Sequence, residues 1–315
     1  MTEAMSMNRA KKQLPPRRRP AVALCVVGVW FSSGCNLGSL LDRDGNLREA
    51  TTYRAAYQDT LLDVARRFKL GYVEMVAANP GADPWLPGEG FDLVLPTVHL
   101  LPAAEREGII INLADMRLYY FDGPDAAPRS YPIGIGREGL TTPLGGTTIA
   151  RKQKDPIWRP TARMRAEDPT LPEAVAPGPD NPMGNRAMYL GWPQYAIHGT
   201  NKPWGIGRRS SSGCIRMYPE DAEELYELIA PGTKVTVVDQ PIKFGAIDGE
   251  LYLEAHPTQQ QSDQLEALGR FDPSLPSHVV DQLLAAAGDQ AARLDWSRIR
   301  QAVVERRGYP IRVTR

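Results

Sequence analysis

A mainly β domain, preceded by a small α+β unit and followed by a helical tail, is the fold class this sequence predicts. Three observations predict it. Short β-type runs separated by Gly- and Pro-containing turns fill residues 105–245. One amphipathic helical pattern and a second short helical run, flanked by strand-like runs, occupy residues 51–101. The chain then turns polar after Pro257, and two helical stretches follow within 258–315, at about 275–287 and 295–306.

The chain has 315 residues, enough for two modest domains and a tail. Its 28 Gly and 28 Pro favour turn-rich β structure over a helical bundle. Net charge is zero, so nucleic-acid binding has no electrostatic support and no nucleic-acid partner is expected.

Residues 1–35 read as an export signal. Lys11, Lys12 and Arg17 to Arg19 form a basic start, and the apolar run from Ala21 to Phe31 is too short to span a bilayer. Ser32, Ser33 and Gly34 then precede Cys35, which resembles a bacterial lipoprotein cleavage site with a lipidated cysteine. Ser32 stands where a leucine is usual, and an uncleaved signal anchor is the alternative. A periplasmic location follows from either reading. Cys25 and Cys35 both fall in this segment, which leaves Cys214 as the one cysteine of the folded part. Three widely spaced cysteines build no disulfide framework.

Residues 60–69 (TLLDVARRFK) place Leu61, Leu62, Val64, Ala65 and Phe68 on one helical face, capped by Asp59 or Thr60. A second helix around 73–78 ends at Asn79-Pro80-Gly81, and strands near 52–55 and 91–95 flank the pair. This strand–helix–helix–strand unit resembles LysM, a small glycan-binding domain that recognises N-acetylglucosamine polymers. A spacer or docking unit is the plainer reading.

Strands are expected at 109–113, 117–121, 129–134, 147–152, 188–192, 195–198 and 234–238, with one helix at 219–228. Glu220 and Asp221 suit the positive end of that helix. Residues 160–185 are rich in Pro, Gly, Asp and Asn and too long for an ordinary connection, so they are expected to cover a functional face.

The chemistry is concentrated in residues 195–217 (YAIHGTNKPWGIGRRSSSGCIRM). His198 ends an apolar run, and Cys214 follows Ser211-Ser212-Gly213 and precedes Ile215-Arg216. A cysteine attacks as thiolate, and cationic neighbours lower its pKa. His198 offers a base and Arg216 a fixed charge. Gly213 lets the backbone approach closely, so N–H groups beside the cysteine are available to an oxyanion. Nucleophile, base and oxyanion donors are the parts acyl transfer needs. Singly, each has a bland reading: a core thiol, a structural histidine, a surface arginine. Their combination in Gly- and Ser-rich turns favours the catalytic one.

These residues resemble the signature of the L,D-transpeptidase (YkuD-type) family, in which His-Gly-Thr and Ser-x-Gly-Cys-(Ile/Val)-Arg line the active site. The resemblance runs from about 105 to 245, through INLADMRLYYF at 111–121, PIGIG at 132–136 and GPDNPMG at 178–184. It implies a β-sandwich-like catalytic domain and a thioester on Cys214. The substrate would be a peptidoglycan tetrapeptide stem, cut between meso-diaminopimelate and the terminal D-Ala. The acyl group would pass to an amine, of another diaminopimelate or of a lysine on an outer-membrane lipoprotein, as in periplasmic Gram-negative relatives. No cofactor is implied. Gly199 or Thr200 would orient the His198 ring, and Ser211, Ser212, Gly213 and Arg216 fall on positions near nucleophile and stem. Many relatives carry a second histidine where this chain has Ser212, which leaves His198 as the nearby imidazole.

Competing readings are weaker. Residues 134–139 (GIGREG) match a dinucleotide-binding pattern, but Leu-Thr-Thr-Pro follows in place of a helix start. Zinc would need three or four ligands in tight local spacing, and His99, His256 and His278 show none, so no metal is expected. A peptidoglycan-binding protein with an inert transpeptidase fold, and an L,D-carboxypeptidase using water as acceptor, are the functional alternatives.

Overall fold

The computed structural model describes residues 51–123, 126–274 and 279–315. The export segment with Cys35, and His278, lie outside the described residues.

The N-terminal unit consists of β1 (Thr51–Arg54), α1 (Leu61–Arg67), α2 (Tyr72–Ala78) and β2 (Asp92–Leu95), with β1 and β2 antiparallel. Thr60 is the cap: its hydroxyl accepts from the Asp63 N–H at 3.1 Å and donates to the Asp63 carboxylate at 2.7 Å. Leu61, Val64 and Ala65 are the buried face of α1. Asn79 ties α2 to β2, because its side chain donates to Met75 O and accepts from Val94 N–H at 2.7 Å.

The central domain holds β3 (Gly108–Asn112), β4 (Arg117–Phe121), β5 (Arg129–Gly136), β6 (Gly145–Lys154), α3 (Ala162–Glu167), β7 (Arg186–Leu190), β8 (Ala196–His198), β9 (Arg209–Ser211), β10 (Ile215–Met217), α4 (Pro219–Leu228) and β11 (Lys234–Val238). The strand order is β10-β8-β7-β6-β11-β3-β4-β5-β9, and β10 also pairs with β5. The sheet therefore closes on itself and encloses a core that includes Ile109, Ile133, Ile197, Ile215, Met217 and Val235. Ala222 and Leu225 of α4 belong to the same core.

After β11 comes an α+β unit: a hairpin precedes the helical stretch expected at 258–315, and a two-residue strand at its end joins that hairpin. A hairpin of β12 (Ile242–Ile247) and β13 (Glu250–Ala255) is joined by β14 (Ile311–Arg312), with α5 (Gln259–Leu268), α6 (Val279–Ala287) and α7 (Trp296–Glu305) between. The hairpin turns at Asp248 and Gly249, both at positive φ (+49° and +77°), the geometry that matches strand twist. Leu251, Leu253, Leu283, Ile299 and Val303 form a separate core under these helices. A boundary at 245 thus falls inside β12, whose partner strand lies five residues further on. The helices at 279–287 and 296–305 occur where helical periodicity places them, and α5 is additional.

The N-terminal unit is seated on the central domain by backbone contact. The Tyr72 and Val73 N–H groups, at the start of α2, donate to the carbonyls of Ile206 and Gly207 at 3.2 and 3.1 Å. Gly71 and Gly207 make that approach possible, since a Cβ on Gly207 would stand 2.2 Å from Tyr72 N. Around this contact Arg66 grips Glu220 with two hydrogen bonds of 2.9 Å, and the Tyr218 hydroxyl donates to Leu70 O at 3.2 Å.

Buried charge joins all three parts. Lys243 sits 2.7 Å from Asp115 and 2.8 Å from Glu254, while His256 and His99 approach the same Glu254 oxygen at 2.5 and 3.3 Å. Glu74 of α2 completes the chain through His99 at 3.2 Å and Arg117 at 3.0 Å. His99, Glu254 and His256 thus offer clustered ligand atoms that sequence spacing does not reveal. Lys243 already supplies a cation to that carboxylate, so an internal ion network accounts for the cluster.

Candidate active site

Two neighbouring parallel strands build the centre. β8 and β10 are in register with Ile197 beside Ile215 and His198 beside Arg216. Side chains on a strand alternate faces, and laterally paired residues share one. Ile197, Ile215 and Met217 therefore turn into the core, fully buried, while His198, Arg216 and the preceding Cys214 turn the other way. That face opens into a cavity of 630 Å³ lined by His198, Ser211, Ser212, Cys214 and Arg216, within the usual size of a built ligand site.

The turn before β10 is held from several sides. The Ser211 hydroxyl donates to Cys214 O at 2.5 Å and accepts the Gly213 N–H at 3.1 Å. Thr142 donates to the Gly213 carbonyl at 2.9 Å. Gly213 has φ +109°, and a Cβ there would meet the Tyr195 ring at 2.8 Å, so glycine is required on both counts. The Cys214 thiol donates to the Gln194 carbonyl at 3.5 Å, and Gln194 itself sits at φ +70°.

His198 Nδ1 lies 2.6 Å from the Gly199 carbonyl. A carbonyl can only accept, so Nδ1 carries the proton and Nε2 keeps its lone pair. Between the two expected orienting groups the geometry separates the roles: Gly199 O holds the ring, whereas the Thr200 hydroxyl accepts the Lys202 N–H at 3.0 Å.

Electrostatics makes the resting pair neutral. Burial pushes His198 down to about 4, the Arg216 charge acts in the same direction, and the Gly199 hydrogen bond opposes them. Burial likewise raises the Cys214 thiol, and the Ala196 N–H and Arg216 offset only part of it. The sequence suggested thiolate activation by cationic neighbours; in the folded chain desolvation outweighs that charge. The cavity thus holds a protonated thiol and an imidazole free to accept.

Arg216 carries no ion pair among the described residues, and its Nε is buried without a hydrogen-bond partner. Arg151, Arg159 and Arg163 line the same cavity, and none of the lining residues is Asp or Glu. The segment 160–185 does reach this face: Thr161, Met164, Pro182 and Met183 form part of the wall, beside Ile157 and Trp158 just before it, and Trp158 bridges Val175 in antiparallel pairing. Gln194, Tyr195, Thr142 and the three wall arginines were not singled out from sequence. Only the length and composition of 160–185 pointed toward the wall.

Residues 106–237 match the L,D-transpeptidase catalytic domain named YkuD. Over 304 residues the chain is 40% identical to the probable L,D-transpeptidase ErfK/SrfK of Escherichia coli, covering 92% of this chain and 96% of that protein. The Salmonella typhimurium protein of the same name is 41% identical over 258 residues, 79% of this chain and 81% of its own length. This chain belongs to the L,D-transpeptidase family. Among solved structures, the catalytic domain of the Enterococcus faecium L,D-transpeptidase is 25% identical and covers 43% of this chain and 99% of its own, with a TM-score of 0.34. The L,D-transpeptidase domain here accounts for β3 to β11, so the units on either side are additions to that catalytic core.

Proposed function

We propose that the L,D-transpeptidase activity of this chain proceeds through a thioester on Cys214 with His198 as the base. The observation that carries this reading is the hydrogen bond from His198 Nδ1–H to Gly199 O, 2.6 Å long, which leaves Nε2 as acceptor on the face that bears the thiol. As the thiol attacks the amide carbonyl between diaminopimelate and D-Ala, its proton passes to Nε2. The tetrahedral oxyanion takes the Cys214 main-chain N–H, because the Gly213 N–H is already bound to Ser211. Collapse breaks the C–N bond, His198 returns the proton to the leaving D-Ala amine, and the acyl group stays on sulfur. An acceptor amine then attacks the thioester, gives its proton to His198, and regenerates the thiol. One amide replaces another, so no external energy source enters.

The unpaired Arg216 and the carboxylate-free wall suit a stem that bears several carboxylates. The acceptor is the amine of a second diaminopimelate or a lysine of an outer-membrane lipoprotein. The unit of residues 51–101 is read as LysM-like, and the chain as a periplasmic protein that Cys35 anchors by lipidation. Fractionation of cells expressing Cys35→Ala tests the anchor: retention in the membrane fraction would leave an uncleaved signal as the explanation.

Incubation with a tetrapeptide muropeptide and an added amine, followed by mass spectrometry, tests the reaction. Loss of D-Ala with a new amide, absent in Cys214→Ala, is the expected result. Tripeptide alone would make the protein a carboxypeptidase, and no turnover would make it a wall-binding protein with an inert site.

A further inference from the structure

The floor of the active-site cavity is one face of four neighbouring strands, β10, β8, β7 and β6. Along β7, Met188 lies beside Ile197 and both are fully buried, whereas Ala187 lies beside His198 and Tyr189 beside Ala196. Tyr189 thus shares the catalytic face. β6 reaches that face through an irregularity. Ile149 is fully buried opposite Leu190, and a residue two positions on would ordinarily share its inward direction. Between Ile149 and Arg151 the ladder shifts register, with Ala150 as the extra residue, so Arg151 falls opposite Tyr189 and turns into the cavity. Bulges of this kind re-aim side chains beside active sites. Lys152, the next residue, points the other way, onto Ile229 O and the Tyr226 ring of α4.

Arg151 is held in place without an acid. Its guanidinium lies 3.4 Å over the centre of the Tyr189 ring, and one end donates to Gln153 Oε1 at 3.0 Å. A guanidinium stacked on an aromatic face keeps edge donors available to a carboxylate. Of the four arginines in the cavity, only Arg163 has an acid partner among the described residues, Glu167, which it shares with Arg137. The strand order β10-β8-β7 places the Tyr189 ring, with the guanidinium over it, about 10 Å across the sheet from the strand that follows Cys214. The cavity therefore offers positive charge at two stations, Arg216 next to the nucleophile and Arg151 farther along the floor.

We propose that Arg151 is a specificity-determining residue for the donor: it takes a free carboxylate of the stem remote from the scissile amide, and so selects stems that are not amidated there. Two stem carboxylates lie at about that remove, one at the far end of the diaminopimelate side chain and one on the acidic residue before it. Amidation removes the charge and one of the two acceptor oxygens, which ends bidentate pairing with a guanidinium. The proposal rests on the peptidoglycan-stem reading of this cavity for its choice of substrate.

The test is single-turnover release of D-Ala by the full chain from three tetrapeptide stems, one unmodified and two amidated singly at either carboxylate. Amidation of the carboxylate that Arg151 holds should lower acylation efficiency about ten- to hundredfold, which also identifies that carboxylate. Arg151→Met should process the unmodified stem at that lowered efficiency and become indifferent to the amidation. Arg151→Lys should recover part of both, since it returns the charge without the fork. Equal rates on all three stems by the unaltered chain would overturn the proposal. So would an Arg151→Met variant that slows all three in proportion, as a damaged fold does, or one that changes only the dependence on acceptor amine. Calorimetric binding of the same stems to Cys214→Ala needs no turnover and should rank them alike. Stems bound in that order but never cleaved would defeat the thioester reading alone, and stems cleaved without discrimination would defeat this one alone.

Discussion

Replacing Gly207 by alanine should undock the N-terminal unit from the catalytic domain. Gly207 has φ +74°, a conformation that costs an L-residue roughly 1–2 kcal/mol. Its added Cβ would also fall 2.2 Å from Tyr72 N and 2.3 Å from Gly71 Cα, both backbone atoms that cannot swing aside. The two segments must separate, and the hydrogen bonds from Tyr72 and Val73 to Ile206 and Gly207 go with them. At about 1 kcal/mol each, these bring the total to roughly 3–4 kcal/mol. Gly232→Ala isolates the backbone share of that cost, since Gly232 has φ +91° with no atom within 4 Å of the added carbon. Urea unfolding of both variants gives the comparison. Gly207→Ala should be less stable than Gly232→Ala by about 2 kcal/mol or more, with the deficit in an early transition assigned to residues 51–95. Equal stability of the two variants would refute the inference that close backbone contact holds the unit in place.

Two further outcomes follow from buried charge. Because His198 is depressed to about 4, it stays an unprotonated acceptor down to that pH, and acylation, read as release of D-Ala in a single turnover, should hold its rate from pH 7 to about 5. An ordinary imidazole near 6.5 would lose about tenfold by pH 5.5, so an acid limb near 6.5 in the pH–rate profile would contradict the neutral-pair description. In the ion network, burial alone would raise Glu254, but the Lys243 charge, with hydrogen bonds from His256 and His99, holds it well below the usual range. Its stabilisation is thus present above the unfolded carboxylate pKa and lost as pH falls through the folded one. Lys243→Met should cost about 3–5 kcal/mol at neutral pH by leaving buried carboxylates uncompensated. Its deficit should shrink on acidification, as those carboxylates protonate; a pH-independent deficit in thermal unfolding would point to packing loss instead.

Much of the fold was legible because its signals are local. The spacing of Leu61, Val64 and Ala65 marked α1, and the runs at 117–121 and 234–238 are strands over those residues. The Asp248-Gly249 hairpin carries a local sign as well, a turn dipeptide between alternating apolar residues. β9 and β10 are three residues each, too short for any periodicity; β9 forms on the edge that β5 offers, and β10 between β8 and β5. The cluster of His99, Glu254 and His256 was invisible for another reason: His99 lies 155 residues from Glu254 and meets it only when the units pack.

What the sequence by itself determined is the chemistry at hand: one thiol, one imidazole and one guanidinium in short Gly- and Ser-rich segments, with a match wide enough to define the family. Local spacing carries that information, because two strands in register need only a few residues each to share a face. The tertiary structure decided how those groups behave. Burial of His198 and Cys214 sets them as a neutral pair, the wall from 157 to 183 turns the cavity cationic, and the Gly71–Gly207 contact seats the N-terminal unit. Desolvation, charge pairing and close approach depend on what packs from elsewhere in the chain, and no local pattern encodes them.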